Sequence, residues 1–107
     1  MWQRAIYLAK ETYALSDSFP AIERFGLTSQ MRCSAVSVPS NIAEGASRGT
    51  KREFIQFLNI VRGSLAELET QITIAEELSL ISDAKQIRAL TDEIFGLLNG
   101  LIKSMRR

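Results

Sequence analysis

Residues 50–75, TKREFIQFLNIVRGSLAELETQITIA, decide the fold because their apolar side chains recur at alternating steps of four and three positions. This spacing places those side chains on one face of an α-helix, where they form a continuous seam. The seam consists of Phe54, Leu58, Val61, Leu65, Leu68, Ile72 and Ala75. Thr50 and Glu53 stand at capping-box spacing at its start, so we predict a helix over about 50–79.

The same rhythm occurs in three further segments, for which we predict helices over about 2–17, 28–46 and 82–105, the last one capped by Ser82. Their predicted core residues are Trp2, Ile6, Ala9 and Tyr13 in helix 1, Met31, Ala35, Val38, Ile42 and Gly45 in helix 2, and Ile87, Leu90, Ile94, Leu97 and Leu101 in helix 4. Pro39 lies inside helix 2 and removes one backbone N–H. We therefore expect a kink at Pro39, with Ser34 or Ser37 bonding the freed backbone.

The order of the helices follows from the lengths of their connections. The links after helices 2 and 3 are short, which makes successive helices antiparallel neighbours. No segment alternates with the two-residue period of a strand. The predicted fold class is therefore all-α, an antiparallel up-down-up-down four-helix bundle. A chain of 107 residues is long enough for one core and too short for two, so we predict a single domain over 1–107.

Composition argues against most chemical functions. Histidine is absent, which removes the commonest general base and the commonest metal ligand. The single cysteine, Cys33, has no evident base beside it and cannot form an internal disulfide. We therefore predict no catalytic site, no metal, no cofactor and no small-molecule substrate. The chain starts without a signal-like segment and has no membrane-length apolar run, so we expect a cytoplasmic protein that does not enter membranes.

Helices 1, 3 and 4 carry apolar residues beyond their predicted seams. These residues are Phe95, Leu98, Ile102 and Met105 in helix 4, Ile60 and Ile74 in helix 3, and Leu8 and Leu15 in helix 1. Such residues either widen a core or form a subunit contact, and leaving them in water forgoes about 1.5–3 kcal/mol for each side chain. We interpret them as a homo-oligomer interface. Gly96 and Gly100 lie four residues apart and either let another helix approach or reflect fraying near the C-terminus.

The basic residues Arg48, Lys51 and Arg52 surround the start of helix 3. The helix dipole disfavours positive charge at this end, whereas free N–H groups together with nearby cations favour a bound anion. The simpler interpretation is a charged turn capped by Thr50 and Glu53. The alternative is a contact with the phosphate backbone of RNA or DNA, which an oligomer would strengthen by repeating it. With 13 basic and 12 acidic residues, the net charge of +1 indicates no partner by itself.

Two long motifs resemble the "four helix bundle protein" family, whose founding members are encoded in intervening sequences of bacterial 23S ribosomal RNA genes. The first comprises residues 27–32 (LTSQMR) and 37–45 (SVPSNIAEG), and the second comprises Glu53-Phe54, Phe57-Leu58 and residues 63–71 (GSLAELETQ). The resemblance covers nearly the whole chain. It implies an up-down four-helix bundle that assembles into a ring-like homopentamer. Its relatives include the accessory protein of diversity-generating retroelements, which associates with a reverse transcriptase and nucleic acid.

Pro39, Asn41, Glu44 and Gly45 match the first motif of the family. We expect structural roles for two of them, with Asn41 bonding backbone loosened by the proline and Glu44 anchoring the following turn. Cys33-Ser34 stands where the family leads us to expect an arginine and a small apolar residue, and the missing cation weakens the case for nucleic-acid binding. The resemblance also leads us to expect a few more residues before helix 1.

Two functions fit these observations. The first is a non-enzymatic homo-oligomer, a pentamer by resemblance, that associates with RNA or DNA through the turn between helices 2 and 3. The second is a protein–protein interaction scaffold or adaptor that does not bind nucleic acid. Near-neutral charge favours the second, whereas the genomic setting and the retroelement relative of the family favour the first. We adopt the first as the working hypothesis.

Overall fold

The structure, a computed structural model, describes residues 1–106 as four α-helices and one short 3₁₀ helix, with no strand in this range. The α-helices are α1 (Trp2–Ser16), α2 (Leu27–Ser47), α3 (Lys51–Glu77) and α4 (Lys85–Met105), and the 3₁₀ helix covers Ala21–Glu23. The four predicted helices are thus confirmed, with boundaries that shift by no more than three residues. None of the helices in this range is both long and apolar enough to cross a membrane.

Contacts between the ends of successive helices follow the up-down-up-down order. Arg32, early in α2, donates to the Ser16 hydroxyl at the end of α1 over 2.9 Å. Arg88, early in α4, donates to the Thr73 hydroxyl late in α3 over 2.9 Å. The helix α1 also contacts α4, so the four helices enclose one common core. This arrangement places the α2–α3 connection at the same end of the bundle as the start of α1.

The predicted core residues of α2 and α3 are buried, with Phe54 partly buried at the edge. The prediction for helix 1 is wrong, because Trp2, Ile6 and Tyr13 are exposed. The core face of α1 consists instead of Ala5, Leu8, Thr12 and Ser16. The Thr12 hydroxyl donates to the Leu8 carbonyl and the Ser16 hydroxyl to the Thr12 carbonyl, each over 2.8 Å. Because these hydroxyls are satisfied within their own helix, they can occupy the core, where a search for apolar side chains does not expect them.

The core face of α4 also differs from the predicted seam. Ile87, Leu90 and Ile94 are buried as predicted, but the next core residue is Leu98, which is 0% exposed, while Leu97 is 45% exposed. Ile102 is buried as well. Leu98 follows Ile94 by four residues and Ile102 follows Leu98 by four, so the buried face of α4 continues in steps of four where the predicted seam took a step of three to Leu97. Leu98 and Ile102, like Leu8 of α1, are therefore core residues, and the role in an oligomer interface that was expected for them is corrected.

Two local predictions in the helices need correction. Ser82 does not cap α4, which begins at Lys85, and the Asp83 carboxylate instead accepts the Lys85 backbone N–H over 3.0 Å. The helix α2 continues through Pro39, and the kink there stays a prediction. The Ser37 hydroxyl is instead hydrogen-bonded to the Ser64 hydroxyl of α3 at 2.8 Å, and among residues 1–106 no hydrogen bond joins Ser34 to the backbone that the proline frees.

Candidate nucleic-acid interface at the α2–α3 turn

A tight turn of three residues joins α2 to α3. Gly49 adopts a φ of 87°, a left-handed conformation that glycine tolerates without a steric penalty. Thr50 then takes an extended conformation, and its hydroxyl accepts the Glu53 backbone N–H over 3.2 Å. The same hydroxyl donates to the Glu53 carboxylate over 2.9 Å. The predicted cap at Thr50 is confirmed, and it fixes the direction in which α3 leaves the turn.

Arg48 is held by two contacts, one on each side of the turn. Its Nη2 atom lies 2.8 Å from the Glu44 carboxylate, one helical turn earlier in α2. Its guanidinium carbon lies 5.1 Å from the centre of the Phe57 ring in α3, a cation–π distance. Glu44 therefore holds a residue of the turn, which agrees with its expected structural role. The Glu44 carboxylate consequently offsets part of the positive charge that Arg48 offers to a ligand.

Lys51 and Arg52 are the free cations of the turn. Both side chains are exposed in the first turn of α3, and neither takes part in a salt bridge between described residues. The first N–H groups of a helix lack partners within the helix and carry partial positive charge. Two unpaired cations beside such groups form a surface that favours a phosphate group over a cationic ligand.

The α2–α3 turn rests on a close contact between its two helices. A Cβ atom added to Gly45 would lie 2.6 Å from the Phe57 Cβ and 3.1 Å from the Phe54 Cδ1. Both distances are shorter than an ordinary carbon–carbon contact, so the helices can approach this closely only because residue 45 has no side chain. Gly45 thus fixes the distance between Arg48 at the end of α2 and the cations at the start of α3.

Asn41 forms hydrogen bonds below the turn. Its Nδ2 atom donates to the Ser37 carbonyl over 2.8 Å and to the Ser37 hydroxyl over 2.9 Å. The Ser37 hydroxyl in turn contacts Ser64 of α3. Asn41 therefore ties the segment around Pro39 to its own helix and, through Ser37, to α3. These contacts agree with the expected structural role of Asn41.

The remaining predicted interface residues lie at different depths. Ile60 and Ile74 of α3 are exposed, as an interface requires. Phe95 and Met105 of α4 are partly buried against the core. Sequence reasoning missed the exposed apolar side chains of α1, because Trp2, Ile6 and Tyr13 were assigned to the core. Gly96 and Gly100 both face open space, since an added Cβ atom would meet nothing within 4 Å at either position.

Side chains that could coordinate a metal do not converge in the part of the chain that the structure covers. Within residues 1–106, no three Cys, Asp or Glu side chains are grouped so that they could hold a metal ion. Cys33 lies exposed on α2. The basic turn therefore remains the site with the most direct chemical implication, which is the binding of an anion.

Comparison with known proteins places this bundle in a family. Residues 1–100 match the family model described as 23S rRNA-intervening sequence protein. The chain belongs to this family. The match includes all of α1, α2 and α3 and most of α4, so the turn with Arg48, Lys51 and Arg52 lies within the region that the family shares. No curated protein matches the chain.

Proposed function

We propose that this protein is a non-enzymatic cytoplasmic homo-oligomer, a pentamer by family resemblance, that associates with RNA or DNA through the α2–α3 turn. The exposure of Lys51 and Arg52 without ion-pair partners, beside the N–H groups of α3, supports the proposal most directly. Phosphate contacts supply most of the affinity of proteins that bind nucleic acids without sequence preference. The family's setting in ribosomal RNA genes agrees with such a partner.

The three cations of the turn differ in the contact they can make. Lys51 and Arg52 can approach a phosphate without giving up another partner. Arg48 would have to share its guanidinium between the phosphate and Glu44, which lies 2.8 Å away. An exposed ion pair of this kind is worth only about 0.2–1 kcal/mol, so a phosphate can compete for Arg48. We therefore assign the larger contribution to Lys51 and Arg52.

An oligomer would carry several copies of this small site and could therefore bind nucleic acid more tightly than a single chain. One turn offers few charges, and the net charge of the chain is only +1. Several turns on one assembly would bind a single strand together and raise its apparent affinity without any new contact. The exposed side chains of Trp2 and Ile6 in α1 and of Ile60 and Ile74 in α3 support assembly, because burying each of them fully would stabilise the assembly by up to about 1.5–3 kcal/mol.

The test compares two double variants that remove the same charge. K51A/R52A removes the free cations of the turn, and K10A/K85A removes two exposed lysines that also lack salt bridges between described residues. Binding of a labelled single-stranded RNA is measured by fluorescence anisotropy at several salt concentrations. We expect K51A/R52A to weaken binding and to reduce the salt slope by about 0.7 for each lost phosphate contact.

The control variant should bind the RNA nearly as tightly as the wild type. If the two double variants weaken binding equally, the interaction depends on overall charge and the assignment to the turn is wrong. If the wild type shows no salt-sensitive binding to RNA or to DNA, the proposed association itself is wrong.

A second function, a protein–protein scaffold, is favoured by the exposed apolar face of α1. Trp2, Ile6 and Tyr13 recur there at steps of four and seven residues, so they share one side of the helix. A partner held on this face would bind through apolar contacts, which salt does not weaken. Retention of a protein partner at high salt, together with no retention on immobilised RNA or DNA, would favour this function over the first.

A further inference from the structure

The connection between α1 and α2 carries an aromatic side chain that the core does not use. Phe25 is 91% exposed, although Phe19 and Thr28 on either side of it are buried. The guanidinium carbon of Arg24 lies 5.9 Å from the centre of the Phe25 ring. The segment is thus anchored to the bundle on both sides, while the Phe25 ring is left in water.

Phe25 forms one wall of a groove of about 610 Å³ between α1 and α2. Tyr13 forms another wall, and Arg32 lies over the Tyr13 ring with its guanidinium carbon 4.5 Å from the ring centre. Arg24 also lines the groove. This α1–α2 groove therefore combines two aromatic rings with two arginines, and no carboxylate lines it within residues 1–106.

Arg32 is positioned before any ligand arrives. It donates to the Ser16 hydroxyl over 2.9 Å and to the Tyr13 carbonyl over 3.3 Å. Its only ion pair between described residues is with Asp17, at 4.0 Å, and the Asp17 side chain is 87% exposed. A carboxylate so distant and so hydrated neutralises Arg32 weakly. The groove therefore keeps a fixed positive charge beside an aromatic ring.

We propose that the α1–α2 groove binds an unpaired nucleotide of single-stranded RNA or DNA, with the base stacked on Phe25 or Tyr13 and the phosphate near Arg24 and Arg32. The proposal rests on the proposed association with nucleic acid but assigns a different site. Aromatic rings that stack bases, combined with cations along the backbone, are the usual means of binding single strands without sequence preference. Duplex nucleic acid cannot use this groove, because its bases are already stacked on one another.

A protein partner fits the groove less well. Aromatic residues and arginine are enriched in protein interfaces as well, but serine is depleted there, and both Ser29 and Ser37 line this groove. The exposed Ser29 on the same groove offers a further hydrogen bond to a phosphate or a base. The composition of the walls therefore favours an anionic, aromatic ligand over an apolar helix.

Cys33 provides a reporter of occupancy within the groove. It is the only cysteine of the chain, it is exposed, and it lines the α1–α2 groove. The rate at which Ellman's reagent modifies Cys33 is measured with and without a 12-nucleotide oligouridylate, an oligothymidylate of the same length, or a 12-base-pair duplex. We expect either single strand, at saturation, to slow the modification several-fold, and the duplex to leave the rate nearly unchanged.

The matched variants are F25A and I22A. Both side chains are almost fully exposed in the same connection, but only Phe25 lines the groove. Loss of one base–aromatic stack should weaken single-strand binding about tenfold in F25A, whereas I22A should bind like the wild type. Both variants should keep the thermal stability of the wild type, because neither side chain belongs to the core.

The outcomes separate this inference from the proposed function. If neither single strand protects Cys33, or if F25A and I22A bind single strands equally, the groove does not hold a nucleotide and the inference is wrong. K51A/R52A tests the turn independently, and protection of Cys33 should persist in that variant at saturating oligonucleotide. Preference for oligouridylate over oligothymidylate would support recognition of RNA at the groove, and equal protection would support recognition of the base and phosphate alone.

Discussion

Replacing Gly45 by alanine tests the close contact that supports the turn. The new Cβ would lie 2.6 Å from the Phe57 Cβ, an atom attached directly to the backbone of α3 that cannot rotate away. Reaching an ordinary carbon–carbon separation of about 3.5–4.0 Å requires α2 and α3 to separate by roughly 1 Å. Overpacking of this kind typically costs about 1–3 kcal/mol. The higher helix propensity of alanine offsets about 1 kcal/mol of that cost.

Gly63→Ala is the matched control, because it is the same substitution inside α3 at a position where the new Cβ meets nothing within 4 Å. It should stabilise the protein by up to about 1 kcal/mol through helix propensity alone. G45A should therefore be less stable than G63A by about 1–3 kcal/mol, a difference in Tm of at least about 4–8 °C. Urea denaturation at one fixed protein concentration, followed by circular dichroism, measures the unfolding free energy of both variants. Equal stabilities for the two variants would refute the close contact at Gly45.

Three further predictions follow from the fold and the proposed assembly. Leu98→Ala should lower the unfolding free energy by about 2–5 kcal/mol and Leu97→Ala by about 0.5 kcal/mol, because only Leu98 is buried. Chemical denaturation of dilute protein measures both values. If Leu97→Ala were the more destabilising variant, the core face predicted from the sequence would be right and the one described here wrong. Hydrogen bonding from Arg4, together with its positive charge, holds the pKa of the Glu93 carboxyl below its usual range. The stability that this pair contributes is therefore present at neutral pH and is lost as the pH falls through the folded-state pKa of Glu93. In an NMR titration Arg4→Gln should return the pKa of Glu93 towards the usual value, and an unchanged pKa would contradict this pairing. Gly96→Leu should reduce the solution mass of the assembly and keep the helical circular dichroism signal, because position 96 faces open space in a single chain and a leucine there obstructs only a neighbouring subunit. An assembly of unchanged mass would mean that Gly96 does not lie at a subunit contact.

The helices and the α2–α3 pair were predictable because local signals agree there. Thr50 and Glu53 form the expected cap, and the seam of α3 faces the core throughout its length. The core face of α1 was not predictable from hydrophobicity, since Thr12 and Ser16 are buried with their hydroxyls bonded inside the helix. In α4 the core face takes a step of four from Ile94 to Leu98, so Leu97, which a regular alternation of four and three selects, lies outside the core.

The candidate site was predicted only in part, because some of its contacts depend on how separate segments of the chain pack against each other. The sequence shows where Arg48, Lys51 and Arg52 lie along the chain, and Glu44 four residues before Arg48 is a pairing signal that could have been used. The close approach of Phe57 to Gly45 depends on the packing of two helices. The grouping of Phe25 with Tyr13 and Arg32 depends on the path of the connection between α1 and α2. Neither arrangement has a signal in residue spacing.

The solution mass, measured by light scattering coupled to size-exclusion chromatography at two protein concentrations, shows whether the protein assembles. We expect an assembly whose mass does not change with concentration, about 60 kDa for five chains of 12.0 kDa each. Such a mass would mean that exposed apolar residues such as Trp2, Ile6, Ile60 and Ile74 are buried between subunits and that several basic turns are presented together. A monomer of 12.0 kDa at both concentrations would contradict the proposed assembly, because each molecule would then present only one basic turn with two free cations.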